Sequence, residues 1–210
     1  MRAQKPEIIT WTGPQLHAFL TWGRDEMNDE LFPLWRTLAF TRMRRSEALA
    51  LRWPDINFAT GRISLRRAVD VTLPNTTKVT KIGSARVIDA ETLRVLKAHK
   101  SDRGAVSLNP ARADAYVFGD DQGATRVPDA VTSRWTRRLD WAYAKIESLP
   151  CVTLKGLRHT HATLLLELRE HPKVVQERLG PSRITTTMNI YSPVTPTMQK
   201  SAIDRFAAPR

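Results

Sequence analysis

Apolar positions recur along this chain with two different periods, and the changes of period divide it into helical and strand-like stretches. After Thr12 the residues Leu16, Phe19, Leu20 and Met27 return at helical spacing. Thr-Gly-Pro-Gln at their head puts Gln15 three residues past Thr12 and Pro14 in the tolerant first turn, which predicts a capping box. Leu31, Leu34, Trp35 and Leu38 predict a second helix, and residues 48–51 a short third that stops before Pro54. The period then falls to two. Residues 62–67 alternate as a half-buried strand does, and residues 69–73 and 85–88 predict two more short strands, joined by a polar loop rich in Thr, Lys and Gly. Helical spacing returns near Asp89, with Leu93 and Leu96 inward, and residues 101–128 read as loop around Val117 and Phe118. From about 129 onward the pattern is helical. Val131, Trp135, Leu139, Ala142 and Ile146 form one stripe, and later helices start near Leu157, Val174, Arg183 and Thr195. The expected fold is mainly α with one small antiparallel β-sheet, an α+β domain over residues 12–210 behind a basic leader or linker over 1–11.

Composition narrows the function classes. With 41% hydrophobic residues and six tryptophans in 210, the chain has the material for a sizeable core, which excludes a disordered basic tail. Its 33 Lys+Arg against 21 Asp+Glu leave a net charge of +12, which favours a polyanionic partner. The single cysteine, Cys151, excludes an intramolecular disulfide and a CxxC metal site and points to a reducing, cytoplasmic setting. No run approaches the roughly 18 apolar residues of a membrane helix, and the first residues lack the apolar core of a signal peptide. No membrane association is expected.

Four groups of residues carry candidate chemistry. Arg44 and Arg45, followed by Glu47 in the first turn of a helix, suit a phosphate clamp, because a guanidinium fork binds two oxygens at once and Glu47 can hold one fork in place. Arg134, Arg137 and Arg138 share a helix face, either solvated or in contact with phosphate. Lys155 and Arg158 are three apart and point the same way on a helical turn; His159 and His161 beside them read as packing histidines rather than metal ligands. Tyr191, at helical spacing from Ile184 and Met188, reads in isolation as a core residue.

The order of these segments changes their meaning. Arg-x-Ser-Glu, a lysine in a β-hairpin, Arg-His-Thr, Leu-Gly-x-Ser and Tyr-Ser-x-Val resemble the boxes of the tyrosine recombinase (phage integrase) family, over nearly the whole chain from Thr12 to Ile203. The resemblance implies the catalytic-domain fold of that family and site-specific DNA recombination, the integration and excision of phage or mobile elements. Arg44 and Arg158 would grip the non-bridging oxygens of the scissile phosphate, and Lys81, or its rival Lys78, would protonate the leaving 5′ oxygen. Tyr191 would be the nucleophile, forming a 3′-phosphotyrosine linkage that conserves the phosphodiester energy. Arg45, Lys78, Arg134, Arg137 and Arg138 are the candidate DNA contacts. The implied partners are double-stranded DNA at attachment sites and three further copies in a homotetramer on paired sites, exchanging a C-terminal helix over residues 195–206; a monomer is compatible with the absence of DNA. No cofactor and no metal are implied.

Several positions depart from the family pattern. Lys155 stands where the family usually has histidine, and Pro181 where it has histidine or tryptophan, which removes a donor to the phosphate. Arg42 and Arg169 occupy positions commonly held by glycine, where a positive φ would strain them. Pro193 replaces a frequent histidine. The first box falls at residue 44, so the family's N-terminal core-binding domain is expected to be absent from this chain. Two rival expectations follow: a catalytically impaired DNA-binding remnant, and a type IB topoisomerase-like DNA-relaxing enzyme.

Overall fold

The computed structural model describes residues 9–70, 72, 76–106, 112 and 114–168. Three helices open the chain: α1 over Gly13–Asp25, α2 over Phe32–Thr41 and the short α3 over Arg45–Leu49. The capping box forms as the sequence predicts, Gln15 N donating to Thr12 Oγ1 at 3.4 Å and Thr12 N to Gln15 Oε1 at 3.0 Å. A 3-10 turn, Trp53–Asp55, leads into an antiparallel sheet of β1 (Ile56–Asn57), β2 (Arg62–Val69) and β3 (Thr77–Val87), in that spatial order. Helices α4 (Ala90–Val106), α5 (Pro128–Tyr143) and α6 (Leu154–Glu167) follow.

The strands differ from the expected ones. β1 escaped the pattern because two residues are too few to show a period. Residues 77–84, expected as a polar loop, belong to β3, and Val69, expected to open a separate strand, is the last residue of β2; residues 71 and 73 of that expected strand lie outside the described residues. The sequence of residues 77–84 carries no alternation of apolar and polar residues, so period two does not find this stretch. Leu65 pairs with Ser84 and Arg67 with Val79, so Arg66 stands opposite residues 80–83 in a pronounced bulge. Three other boundaries move as well, the first being α3, which covers Arg45–Leu49 rather than residues 48–51. α4 continues to Val106 into the expected loop, and α6 starts at Leu154 rather than Leu157.

The core is organised by aromatic rings. Trp135 on α5 lies 5.8, 5.0 and 5.2 Å between centroids from Trp11, Phe19 and Trp35. The three tryptophans of this cluster each find an acceptor for the indole N–H: Trp11 donates to Pro150 O at 2.8 Å, Trp135 to Val152 O at 2.8 Å and Trp35 to Asp29 Oδ2 at 3.0 Å. Trp11 is 1% exposed, so the last residue of the expected leader is part of the core. Its backbone N–H donates to Thr160 Oγ1 at 3.1 Å and docks this segment on α6. Gly156 allows that approach: a Cβ there would meet Val152 Cγ1 at 3.0 Å and Ile9 O at 3.4 Å.

Asp29, in the turn between α1 and α2, ties the helices together. Its side chain is 1% exposed, and it accepts from Leu31 N at 3.1 Å, Trp35 Nε1 at 3.0 Å, Arg134 Nη2 at 2.7 Å and Arg138 Nε at 2.8 Å. Burial pushes its carboxyl pKa up. The bonds from Arg138, Trp35 and Leu31 and the charge of Arg134 more than offset this, leaving it below the ordinary carboxylate value.

Asp29→Asn is therefore expected to destabilise the fold by about 3–5 kcal/mol in urea unfolding, because two guanidiniums lose a shared partner away from water. Since the carboxyl sits lower in the folded chain than in the unfolded one, its contribution is complete above about pH 4 and falls away as pH drops below that. The Asn variant should lose this acid-side slope.

Candidate functional site

The chain leaves α2 through a left-handed residue. Arg42 caps the helix at φ 57°, ψ 22°, the backbone state that the glycine-like position predicted, and Thr41 Oγ1 accepts from Met43 N at 3.4 Å to steady the corner. Met43 is fully buried, which fixes where the chain re-emerges at Arg44. Arg44 is the N-cap of α3. Glu47, three residues on, accepts from Arg44 N at 2.7 Å through Oε2 and from Arg44 Nη1 at 2.6 Å through Oε1. A backbone donor and a side-chain donor of one residue thus close on one carboxylate. Glu47 is 7% and Arg44 53% exposed in their side chains, so a buried anchor holds a half-exposed cation. The unused face of the Arg44 fork is open to an oxoanion.

Arg158 and Lys155 lie on α6, whose N-cap Thr153 accepts from Gly156 N at 3.0 Å. Lys155 is exposed and Arg158 half-buried, one turn apart. The helix is set against α2 by His161, which is 8% exposed with Nδ1 2.9 Å from Ala39 O, the packing role expected for it. Arg158 is one turn before that contact on the same side of α6, and Arg44 follows the end of α2, so both arginines are attached to the C-terminal half of α2. His159 is half-buried beside Arg158.

Lys81 and Lys78 share β3 but differ in place. Lys78 pairs with Ala68 near the hairpin tip, and its Nζ lies 2.8 Å from Asp70 Oδ2. Lys78, helped by the Thr72 hydroxyl and backbone N–H, holds the Asp70 carboxyl down at about 2. Lys81 falls in the bulge opposite Arg66. Five ladder steps, roughly 16 Å, separate the Lys78–Ala68 pair from the Arg86–Ile63 pair beside α3, and Lys81 lies between them.

Three arginines expected to face outward are turned inward. Arg134 and Arg138 bind Asp29, and Arg134 also reaches Glu30 at 3.2 Å. This is neither the solvated face nor the phosphate contact expected of them; of that trio Arg137 alone is exposed. Arg45 Nη1 donates to Pro128 O at 2.9 Å and also bonds Asp129 and Thr132, pinning α3 to the start of α5. Tyr191, Pro181, Arg169, Pro193 and the expected exchange helix lie outside the described residues. Sequence reasoning missed Asp29 as a hub and Arg86 on β3, since neither belongs to a local motif.

This arrangement of helices around a small sheet is shared with known recombinases. The integrase of transposon Tn1549, solved in complex with transposon right end DNA, superposes with a TM-score of 0.80 at 19% identity, covering 98% of this chain and 68% of that one. The catalytic domain of bacteriophage HP1 integrase superposes with a TM-score of 0.58 at 20% identity, covering 94% of this chain and 95% of that one. The fold is that of a tyrosine recombinase catalytic domain. The model of the Phage integrase family matches residues 14–198, and the chain belongs to that family. It is 28% identical to the ICEBs1 integrase of Bacillus subtilis over 185 residues, 84% of this chain and 48% of that protein. It is also 28% identical to the integrase of Staphylococcus phage L54a over 171 residues, 77% of this chain and 47% of that protein. The chain spans about half the length of these curated relatives. No helix among the described residues is long and apolar enough to cross a membrane.

Two substitutions test this local geometry. Arg42→Gly is expected to be more stable than Arg42→Ala by about 1 kcal/mol in chemical unfolding, because both remove the side chain and only glycine relaxes at positive φ. Lys78→Met should raise the Asp70 pKa from about 2 toward about 3.9, followed by the Asp70 carboxyl chemical shift in an NMR titration. The stabilisation that pair supplies is present above the unfolded value and lost as pH falls toward 2.

Proposed function

We propose that this chain cleaves and rejoins DNA strands as the catalytic part of a site-specific recombinase, moving a phage or other mobile element. The observation that carries the reading is the Arg44–Glu47 clamp, a half-exposed guanidinium anchored at 2.6 Å by a buried carboxylate at the corner of the helix against which α6, with Arg158, is packed. In this reading Arg44 and Arg158 each bind a non-bridging oxygen of the scissile phosphate and offset the charge that builds as phosphorus becomes pentacoordinate. The Tyr191 oxygen loses its proton to water and attacks phosphorus, the bond to the 5′ oxygen breaks, and Lys81 supplies the proton that makes the 5′ hydroxyl. The product is a 3′-phosphotyrosine, which a second strand's 5′ hydroxyl reopens in the reverse step. Lys81 is preferred to Lys78 because Lys78 is held by Asp70 and lies farther from α3 along the hairpin. Lys155, exposed one turn before Arg158, adds a donor to the phosphate, and Arg137 is retained as a backbone contact. Arg45, Arg134 and Arg138 act on DNA only by holding the helices in place. On paired sites four copies assemble, exchanging residues 195–206. The Tn1549 integrase and other relatives solved with DNA support a DNA partner.

A nicked suicide duplex carrying a candidate core site tests the reading. Wild-type chain should form a covalent protein–DNA adduct on a denaturing gel, and Tyr191→Phe should lower it by at least roughly 10³-fold. A mobility shift without any adduct would leave a DNA-binding remnant, and supercoil relaxation without sequence preference would indicate a topoisomerase.

A further inference from the structure

On the face of the sheet that meets α3, an arginine stands among aliphatic side chains. Arg86 on β3 pairs directly with Ile63 on β2, and directly opposed residues of an antiparallel ladder put their side chains on the same face. Ile63 and Leu65 on that face are 0% and 2% exposed, whereas Val87 on β3, which pattern alone would send inward, is 55% exposed. The apolar and charged sides of this strand are inverted. Inversion is unfavourable in itself, since a guanidinium leaves water where a valine would pack at no such penalty. Burial pushes the Arg86 pKa below the ordinary arginine value; Glu47 counters this and Arg44 adds to it. Arg86 Nη1 reaches Ala85 O at 3.0 Å, and Nε is buried with no hydrogen-bond partner among the described residues. α3 packs on β2, and Glu47 is a buried carboxylate of that helix.

We infer that Arg86 is a positioning residue for strand cleavage, keeping the Arg44–Glu47 clamp net cationic; this rests on the recombinase reading above. Glu47 does two opposed things. It fixes Arg44 in place, and its negative charge cancels Arg44's at the distance of a bound phosphate. Alone, the pair would meet the phosphate as a dipole. With the Arg86 charge also acting on Glu47, the group keeps both the anchor and one net positive charge. That charge matters most when bound DNA has displaced water, because the effective dielectric is then low. The inward arginine is thereby explained by the site it serves rather than by stability.

The test uses the full chain and the same suicide duplex in single-turnover conditions. Arg86→Met should slow adduct formation by roughly 10- to 100-fold, the range found when a partner behind a catalytic group is removed, with affinity for intact DNA little changed. Arg86→Lys, which keeps the charge, should recover most of the rate. The deciding measurement is the Glu47→Gln background, where no negative charge needs balancing: there the penalty of Arg86→Met should shrink several-fold. A penalty equal in both backgrounds, and tracking a fall in melting temperature, would mean a structural role and overturn the inference. Tyr191-dependent adduct at the wild-type rate in Arg86→Met would overturn it alone and leave the recombinase reading standing. No adduct from wild-type chain bound to DNA would overturn both. Should the Met variant not fold, Arg86→Gln replaces it, with the same expectations.

Discussion

The buried carboxylate of Asp29 sets the geometry on which everything else rests. One side chain in the turn between α1 and α2 binds the indole of Trp35 on α2 and two arginines of α5, so α2 and α5 meet on a single acceptor. Such a group is costly to desolvate and is tolerated only because its oxygens are fully used. In return it fixes direction as well as distance. The ring cluster around Trp135 would tolerate small rotations of its helices; a carboxylate with four donors does not. With α2 held this way, the left-handed turn at Arg42 and the buried Met43 determine where Arg44 emerges, and the bond from His161 to Ala39 determines where α6 carries Arg158.

The surplus of positive charge divides into two populations. Arg134, Arg138 and Arg45 are consumed by internal acceptors, and Arg86 is turned to the inner face of the sheet. Arg44, Arg137 and Lys155 remain open to solvent. A count of Lys and Arg along a chain therefore overstates the cationic surface a polyanion meets. Arginine can serve in both places because its planar fork matches a carboxylate inside the fold as well as a phosphate outside it. The hairpin makes the same division among lysines, Lys78 being engaged with Asp70 while the bulge opposite Arg66 falls at Lys81.

Electrostatics at the α2–α3 corner joins fold to chemistry. Glu47 is nearly buried, and its partner Arg44 is half-exposed. The anchor is thus shielded from competing water and the working end is accessible. In the proposed reaction, preorganisation of this kind needs no rearrangement when phosphate arrives, which is the condition under which charged donors contribute most to a transition state. It is built from local parts, since a capping position and a first-turn glutamate three residues apart form the pair wherever the helix starts.

What the sequence by itself determined is whatever depends on near neighbours or on one face of one element. The capping box at Thr12, the Leu34–Trp35–Leu38 stripe of α2, the Trp135 stripe of α5, the Arg44–Glu47 pair and the positive φ at Arg42 all come from interactions within a few residues. The order of motifs from Arg44 to Tyr191 identified the family for the same reason. What only the tertiary structure decided is which charged side chain meets which. Asp29 and Arg138 are more than a hundred residues apart, and nothing near either one encodes the pairing. Trp11 reads as the end of a leader in the sequence, and only Thr160 and Pro150 bring it into the core; the strand holding Lys81 carries no alternation, and its pairing with β2 alone makes it a strand. Arg86 reverses the usual rule of apolar in and charged out. A pattern read along the chain assigns faces by hydropathy, whereas the ladder with Ile63 and the approach of α3 assign them by geometry.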